Sequence, residues 1–247
     1  MLETLLEAFP TLALLAWEPP GWGANLVRGL GNSIQIALGA YALGLVIGTA
    51  GAFGKLHGGP VTRDLLAVYT TVVRAVPELV LILILYFAVT DLVNQGLVAM
   101  GYARVQISGV VAGIAVLGVV QGAYSIEVIR GAILAVPTGQ LEAARAMGMP
   151  PLKAAWRITL PLMLSNAIPG LANLWLIATK DTALLAIVGF AELTLQTRQA
   201  ASSTKAFMTF FLAAGVLYLL VTLISGVAFG RIEKWARRGQ RDGGAGS

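Results

Sequence analysis

A chain of 247 residues in which 12% of side chains are charged, 57% are hydrophobic and the mean hydropathy is +0.80 is a membrane protein by composition, since in an ordinary soluble domain about a quarter of the residues carry charge. The absence of cysteine excludes a disulfide framework and a cysteine-based zinc site. The net charge of +5 could suggest a nucleic-acid partner, but the cations are distributed along the chain like a membrane-topology signal.

Taken in chain order, residues 1–24 hold an apolar stretch at 9–17 that is preceded by Glu3 and Glu7 and by no basic residue, which argues against a cleaved signal peptide. It reads as an interfacial segment, followed by the linker WEPPGWGAN, whose prolines and glycines break helix and whose tryptophans suit the headgroup layer. The first span, 29–54, carries Gly31, Gly39, Gly44, Gly48 and Gly51, the small-residue composition that lets helices approach closely in lipid. Its end, GTAGAFGKLH, is no phosphate loop: Thr49 stands where the first glycine is needed and Leu56 where the serine or threonine is needed.

A second span is expected at about 65–90, interrupted by Arg74, Pro77 and Glu78. Arg74 and Glu78 are four apart, which on one helix places them on one face, able to neutralise each other or to line a cavity. The third span, 105–126, runs into Glu127, followed at i+3 by Arg130. Glu127 is either half of a structural ion pair or a cavity-facing carboxylate that meets substrate, where it would suit a guanidinium or ammonium group.

The stretch VPTGQLEAARAMGMPPLKAAWRITLPLM comes next, at 136–163. A short helix is expected with Thr138 as N-cap and Glu142 in its first turns, stopped by Gly148 and Pro150-Pro151. A second short helix follows, with Leu152, Ala155, Trp156 and Thr159 on one face and Lys153 and Arg157 on the other. The fourth span, 158–179, contains Pro169-Gly170, and Lys180-Asp181 then interrupts the apolar run, so a break and a returning half-helix are expected there. The fifth span, 206–230, leads to a basic tail, with 237–247 expected to be disordered. The division is therefore 1–24, a transmembrane domain at 25–236, and the tail.

With the N-terminus outside, Lys55, Arg63, Arg130, Arg145, Lys153, Arg157, Arg231, Lys234, Arg237, Arg238 and Arg241 fall on the cytoplasmic side, and only Arg28, Arg104, Arg198 and Lys205 on the outer side. That asymmetry follows the positive-inside rule and puts the 136–160 stretch in the cytoplasm.

The residues Glu142, Ala143, Ala144, Gly148, Ile158, Leu160 and Pro161 reproduce the spacing of the coupling-loop signature of the membrane subunits of ABC importers, which the chain resembles over about 29–236. The stretches TTVVRAVPELVLILILYF, GAYSIEVIRGAI and ATKDTALLAIVG look like the polar amino-acid branch, the permeases for histidine, lysine, arginine, ornithine and opines. The resemblance implies an all-α membrane protein of the bacterial inner membrane, with five transmembrane helices and a cytoplasmic coupling helix between spans three and four, the type I importer permease. It implies no chemistry and no cofactor in this chain: a cytoplasmic ABC ATPase dimer binds the ATP and docks on the coupling helix, a second permease subunit completes the path, and an extracytoplasmic binding protein delivers substrate. Glu142 and Gly148 carry over as docking and turn residues. Glu127, Arg74, Glu78, Lys180 and Asp181 are cavity candidates from the charge argument alone. The competing reading is a stand-alone carrier coupled to an ion gradient, which buried charges permit but which leaves the coupling signature without a role. A hydrolase or metal site is unsupported, because the sole histidine, His57, sits beside Gly58-Gly59-Pro60 with no serine motif.

Overall fold

A computed structural model of the chain describes residues 10–104 and 108–238. The expectations for residues 1–9, for the start of the third span at 105–107 and for the tail at 239–247 lie outside the described residues. Among those described, every regular element is helical. A 3-10 turn at Pro10–Leu15 precedes α1 (Gly23–His57), α2 (Pro60–Ala75), α3 (Glu78–Ala99), α4 (Gly109–Leu134), α5 (Thr138–Ala146) and α6 (Pro151–Ala154). A π turn at Ala155–Thr159 joins α6 to α7 (Leu160–Asp181), a 3-10 segment follows at Thr182–Val188, and α8 (Leu193–Thr204) and α9 (Phe207–Ala236) complete the chain. Five of these stretches are long and apolar enough to cross a membrane: Gly23–His57, Glu78–Ala99, Gly109–Leu134, Pro151–Val188 and Phe207–Ala236.

Helix α4 is the centre of the bundle: 61% of its most apolar window is buried, against 11% for α3 and α9, which therefore form the periphery. On α9, Met208, Leu212, Leu219 and Leu223 are all exposed, the surface expected of a helix bathed in lipid.

The closest association is between α1 and α4, and it is built on glycine. Gly44 and Gly48 face Gln121 and Ser125 of α4, while Gly118 and Gly122 of α4 face Leu43 and Ile47 of α1. A Cβ at Gly48 would stand 2.3 Å from that of Ser125, so the helices come as near as they do only because the glycine side of each contact lacks a side chain. Four of the five glycines read in the first span meet a neighbour this way; Gly31, with nothing within 4 Å, does not. At one end of the α1–α4 pair, Ile36 and Ala40 join Val116, Leu117, Ile82 of α3, and Leu185 and Phe190 beyond α7 in a single apolar cluster.

Three expectations are corrected. The second span does not run through 65–90: the chain breaks between α2 and α3, because Val76 precedes a proline and is extended, at φ −90° and ψ 137°, and Pro77 has no N–H to continue the ladder. The second short helix near Trp156 is not separate but runs through the π turn into α7. The fourth span is not broken at Lys180-Asp181 either. The helix passes through Pro169 and reaches Asp181, then tightens to 3-10 geometry before the chain reverses at Gly189, whose φ of 87° is left-handed.

Gly48→Ala is expected to destabilise the folded chain by about 1–3 kcal/mol through overpacking, whereas Gly31→Ala, in open space, should be neutral or gain up to about 1 kcal/mol of helix propensity. Thermal unfolding of the two purified variants, compared with wild type, checks the contrast.

Candidate functional site

The break at Val76-Pro77 ends one helix and starts another beside α4. Glu78 occupies the first position of α3, where the exposed N–H groups and the helix dipole favour an acid. Its carboxylate accepts a hydrogen bond from the Tyr124 hydroxyl of α4 at 3.3 Å. Asp181, the last residue of α7, lies close enough to the same Glu78 for the two carboxyls to interact. Asp181 is buried, and one of its oxygens has no partner among the described residues. Lys180 beside it is exposed. Elements α3, α4 and α7 thus place two carboxyls and a phenol together in the interior of a membrane protein, where an acid without a partner is costly. Two neighbouring carboxyls, one with an orphan oxygen, are acceptors of the kind that a cationic donor such as an ammonium or guanidinium group could meet.

Arg74 does not pair with Glu78. The helix break separates them, and no hydrogen bond or ion pair holds the Arg74 guanidinium among the described residues. Glu127 is likewise not a free carboxylate. Lys55 of α1 donates to one of its oxygens at 2.6 Å, and Arg130 donates to the other through Nε at 3.2 Å and Nη2 at 2.9 Å. Lys55 also donates to Thr70 of α2 at 2.7 Å, so one network ties α1, α2 and α4. The structure therefore favours the ion-pair reading of Glu127, with a second cation that sequence spacing did not offer, since Lys55 lies 72 positions away. The five charged candidates separate: Glu78 and Asp181 lie near Tyr124, Glu127 shares a cleft with Arg74, and Lys180 is exposed beside Asp181.

The signature residues occupy one exposed end of the molecule. Helix α5 begins at Thr138 after an extended Pro137, so Thr138 is its first residue and not its cap. Its C-terminus is a Schellman closure: the Gly148 N–H donates to Arg145 O at 2.9 Å and the Met149 N–H to Ala144 O at 3.0 Å. Gly148 takes φ 69°, which is why a glycine stands there. Ala144 is buried, while Glu142 and Ala143 face outward. Around them Met147, Leu152 and Trp156 are 85%, 73% and 66% exposed, an apolar surface that nothing among the described residues covers. Ile158 and Leu160 are half-buried and lead to Pro161. Pro161 cannot donate to the carbonyl four residues back, and the helix widens just before it, with Leu160 N–H bonded to Ala155 O.

Sequence reading missed Glu192. It is fully buried and accepts hydrogen bonds from the N–H groups of Thr194 and Leu195 at 2.8 and 2.7 Å, from Ser33 at 3.3 Å and from Tyr218 at 3.2 Å. It caps α8 and joins it to α1 and α9. The only signal was an acid two residues before a run of helix formers. Three further buried polar atoms, both amide atoms of Gln121 and Ser125 Oγ, lack partners among the described residues along the α1–α4 contact.

A bundle of spanning helices with an interior acid pair and an uncovered turn at one end is the construction of a membrane transport subunit. The chain belongs to the family described as the binding-protein-dependent transport system inner membrane component, which matches residues 40–238. It is 41% identical to the nopaline transport system permease protein of Agrobacterium fabrum, over 93% of this chain and 98% of the relative. It is 36% identical to the histidine/lysine/arginine/ornithine transport system permease protein of Escherichia coli, over 83% and 90%. Its fold is similar to that of an amino acid ABC transporter crystallised with histidines, with a TM-score of 0.73 at 27% identity over 86% of this chain and 94% of the other.

Glu192→Ala is expected to cost at least about 3 kcal/mol, because several hydrogen bonds to a charged acceptor are lost where water cannot replace them. A lowered unfolding temperature, with helix content retained below it, is the outcome to look for.

Proposed function

We propose that the chain is the membrane-spanning subunit of an ATP-driven importer for a polar or basic amino acid or an opine. It forms half of the translocation path and receives the closure of a cytoplasmic ABC ATPase dimer through residues 137–160. A second permease subunit, identical or homologous, completes the path, and an extracytoplasmic binding protein loads it. The N-terminus lies outside and the α5 end in the cytoplasm. The observation that carries this reading is the α5 turn: a helix with small exposed residues, locked by Gly148 and surrounded by uncovered Met147, Leu152 and Trp156, in a chain of this family. Such a helix fits a groove of a partner, and the bare apolar rim gives it a contact to bury there. A carrier working alone needs no such surface.

Within the path, the Glu78–Asp181 pair is the station for the cationic end of the solute, with Tyr124 orienting Glu78. Asp181→Asn should slow uptake of L-arginine into proteoliposomes by at least about tenfold, the equivalent of roughly 1.4 kcal/mol of lost recognition. Uptake at the wild-type rate would remove Asp181 from the path.

Gly148 provides the test of coupling, because nothing lies within 4 Å of its missing Cβ, so a larger residue adds bulk at the turn without an internal clash. Its cost to the fold is the left-handed backbone alone, about 1 kcal/mol. In proteoliposomes holding the chain with its partner permease and ATPase, Gly148→Arg is expected to assemble yet lose the ATP hydrolysis that loaded binding protein stimulates. Retention of both stimulation and transport would sink the assignment.

A further inference from the structure

The second group of candidate charges lines a cleft of about 460 Å³ between the ends of α1, α2 and α4, formed by Lys55, Thr70, Thr71, Arg74, Glu127 and Arg130. Three cations and one carboxylate leave it with two surplus positive charges. That carboxylate is already committed, with both Glu127 oxygens held by Lys55 and Arg130. The cleft therefore offers no acceptor for the ammonium or guanidinium group that Glu127 by itself would suit. What it offers is donors: the exposed Arg74, held by no hydrogen bond or ion pair among the described residues; Thr71, also exposed; and the accessible flank of Arg130. A planar guanidinium beside a hydroxyl and a second guanidinium matches the oxygens of a carboxylate.

On α2 this polar side is distinct from the apolar one. Val61, Leu65, Val68 and Val72 recur at helical spacing and are 72%, 67%, 61% and 50% exposed, forming a separate stripe suited to lipid. Arg74 projects on the other side of the helix, toward the cleft, and Tyr124, which meets Glu78, lies one helical turn before Glu127 on α4. The two charge clusters are therefore neighbours of opposite sign.

We propose that this cleft is an oxyanion site that takes the carboxylate of a small solute, Arg74 being the recognising residue and the Lys55–Glu127–Arg130 network holding its walls. The site rests on the importer reading only for its orientation, which places it at the cytoplasmic mouth of the path.

The natural absence of cysteine allows a direct test on the full chain in phosphatidylcholine nanodiscs. Thr71→Cys places a single thiol in the cleft, and Gly139→Cys, exposed on α5, serves as reference. Relative to that reference, the Thr71→Cys thiol is expected to react about tenfold faster with an anionic sulfonatoethyl methanethiosulfonate than with its cationic trimethylammonium counterpart. Adding Arg74→Gln should erase the preference, and millimolar L-glutamate should slow the anionic reagent. Equal rates for the two reagents, or a preference that survives Arg74→Gln, would overturn the site. Protection by inorganic phosphate but not by L-glutamate would overturn its assignment to a carboxylate. Each result is independent of Gly148→Arg, so a failure here and a failure of the importer reading are told apart.

Discussion

The contact between α1 and α4 is the constraint on which the rest depends. In lipid there is no hydrophobic gain from bringing two apolar helices together, so association must come from dispersion and from weak contacts at very short range. Gly44, Gly48, Gly118 and Gly122 create that range by leaving each helix without side chains where the other approaches. Once α1 and α4 are fixed, the remaining helices find their places around them. Helices α2 and α3 lie along α4, α7 packs against it on another side, and α8 and α9 close over α1 through Glu192.

That arrangement also decides where charge can live in the membrane. The ends of α2 and α7 and the start of α3 are helix termini placed against the bundle's central helix, and termini carry backbone groups that a continuous span would have satisfied. Glu78 is favoured at the N-terminus of α3, whereas Asp181 stands at the C-terminal end of α7, where the helix dipole gives an acid no help. The Tyr69 hydroxyl, bonded to the Val119 carbonyl, braces α2 against α4 just below the break. The break itself keeps Arg74 from cancelling Glu78, so that neighbouring regions of the bundle carry opposite sign.

Much of this was legible in the sequence, for reasons that can be stated residue by residue. Span count followed from uncharged runs, and the turn at Gly148 followed from a glycine and two prolines after a short helical pattern, because those signals are local. Arg74 and Glu78 were read on one helical face because periodicity cannot see that Pro77 ends a helix and does not merely bend it. Lys180-Asp181 was read as a break because a charged pair and a chain reversal leave the same mark in an apolar run; the reversal came eight residues after Asp181, at Gly189. Lys55 and Tyr124 escaped notice because each acquires its role from a partner far along the chain, and Glu192 because a buried N-cap looks like any surface acid until its neighbours are known.

The helix that begins after the Gly148 turn has a mechanical meaning. From Pro151 to Val188 the backbone is helical without interruption, so Trp156 at the uncovered end and Asp181 at the acid pair are joined by one stiff rod, about 38 Å apart along the axis at 1.5 Å per residue. A rod carries thrust and rotation over its length with little loss, where a loop would absorb both. Its compliant points are the widened turn before Pro161 and Pro169 within the helix. A displacement imposed on the surface at Met147 and Trp156 would therefore reach Asp181 as a rigid shift, and the geometry of the two carboxyls would change together with the position of the α5 turn.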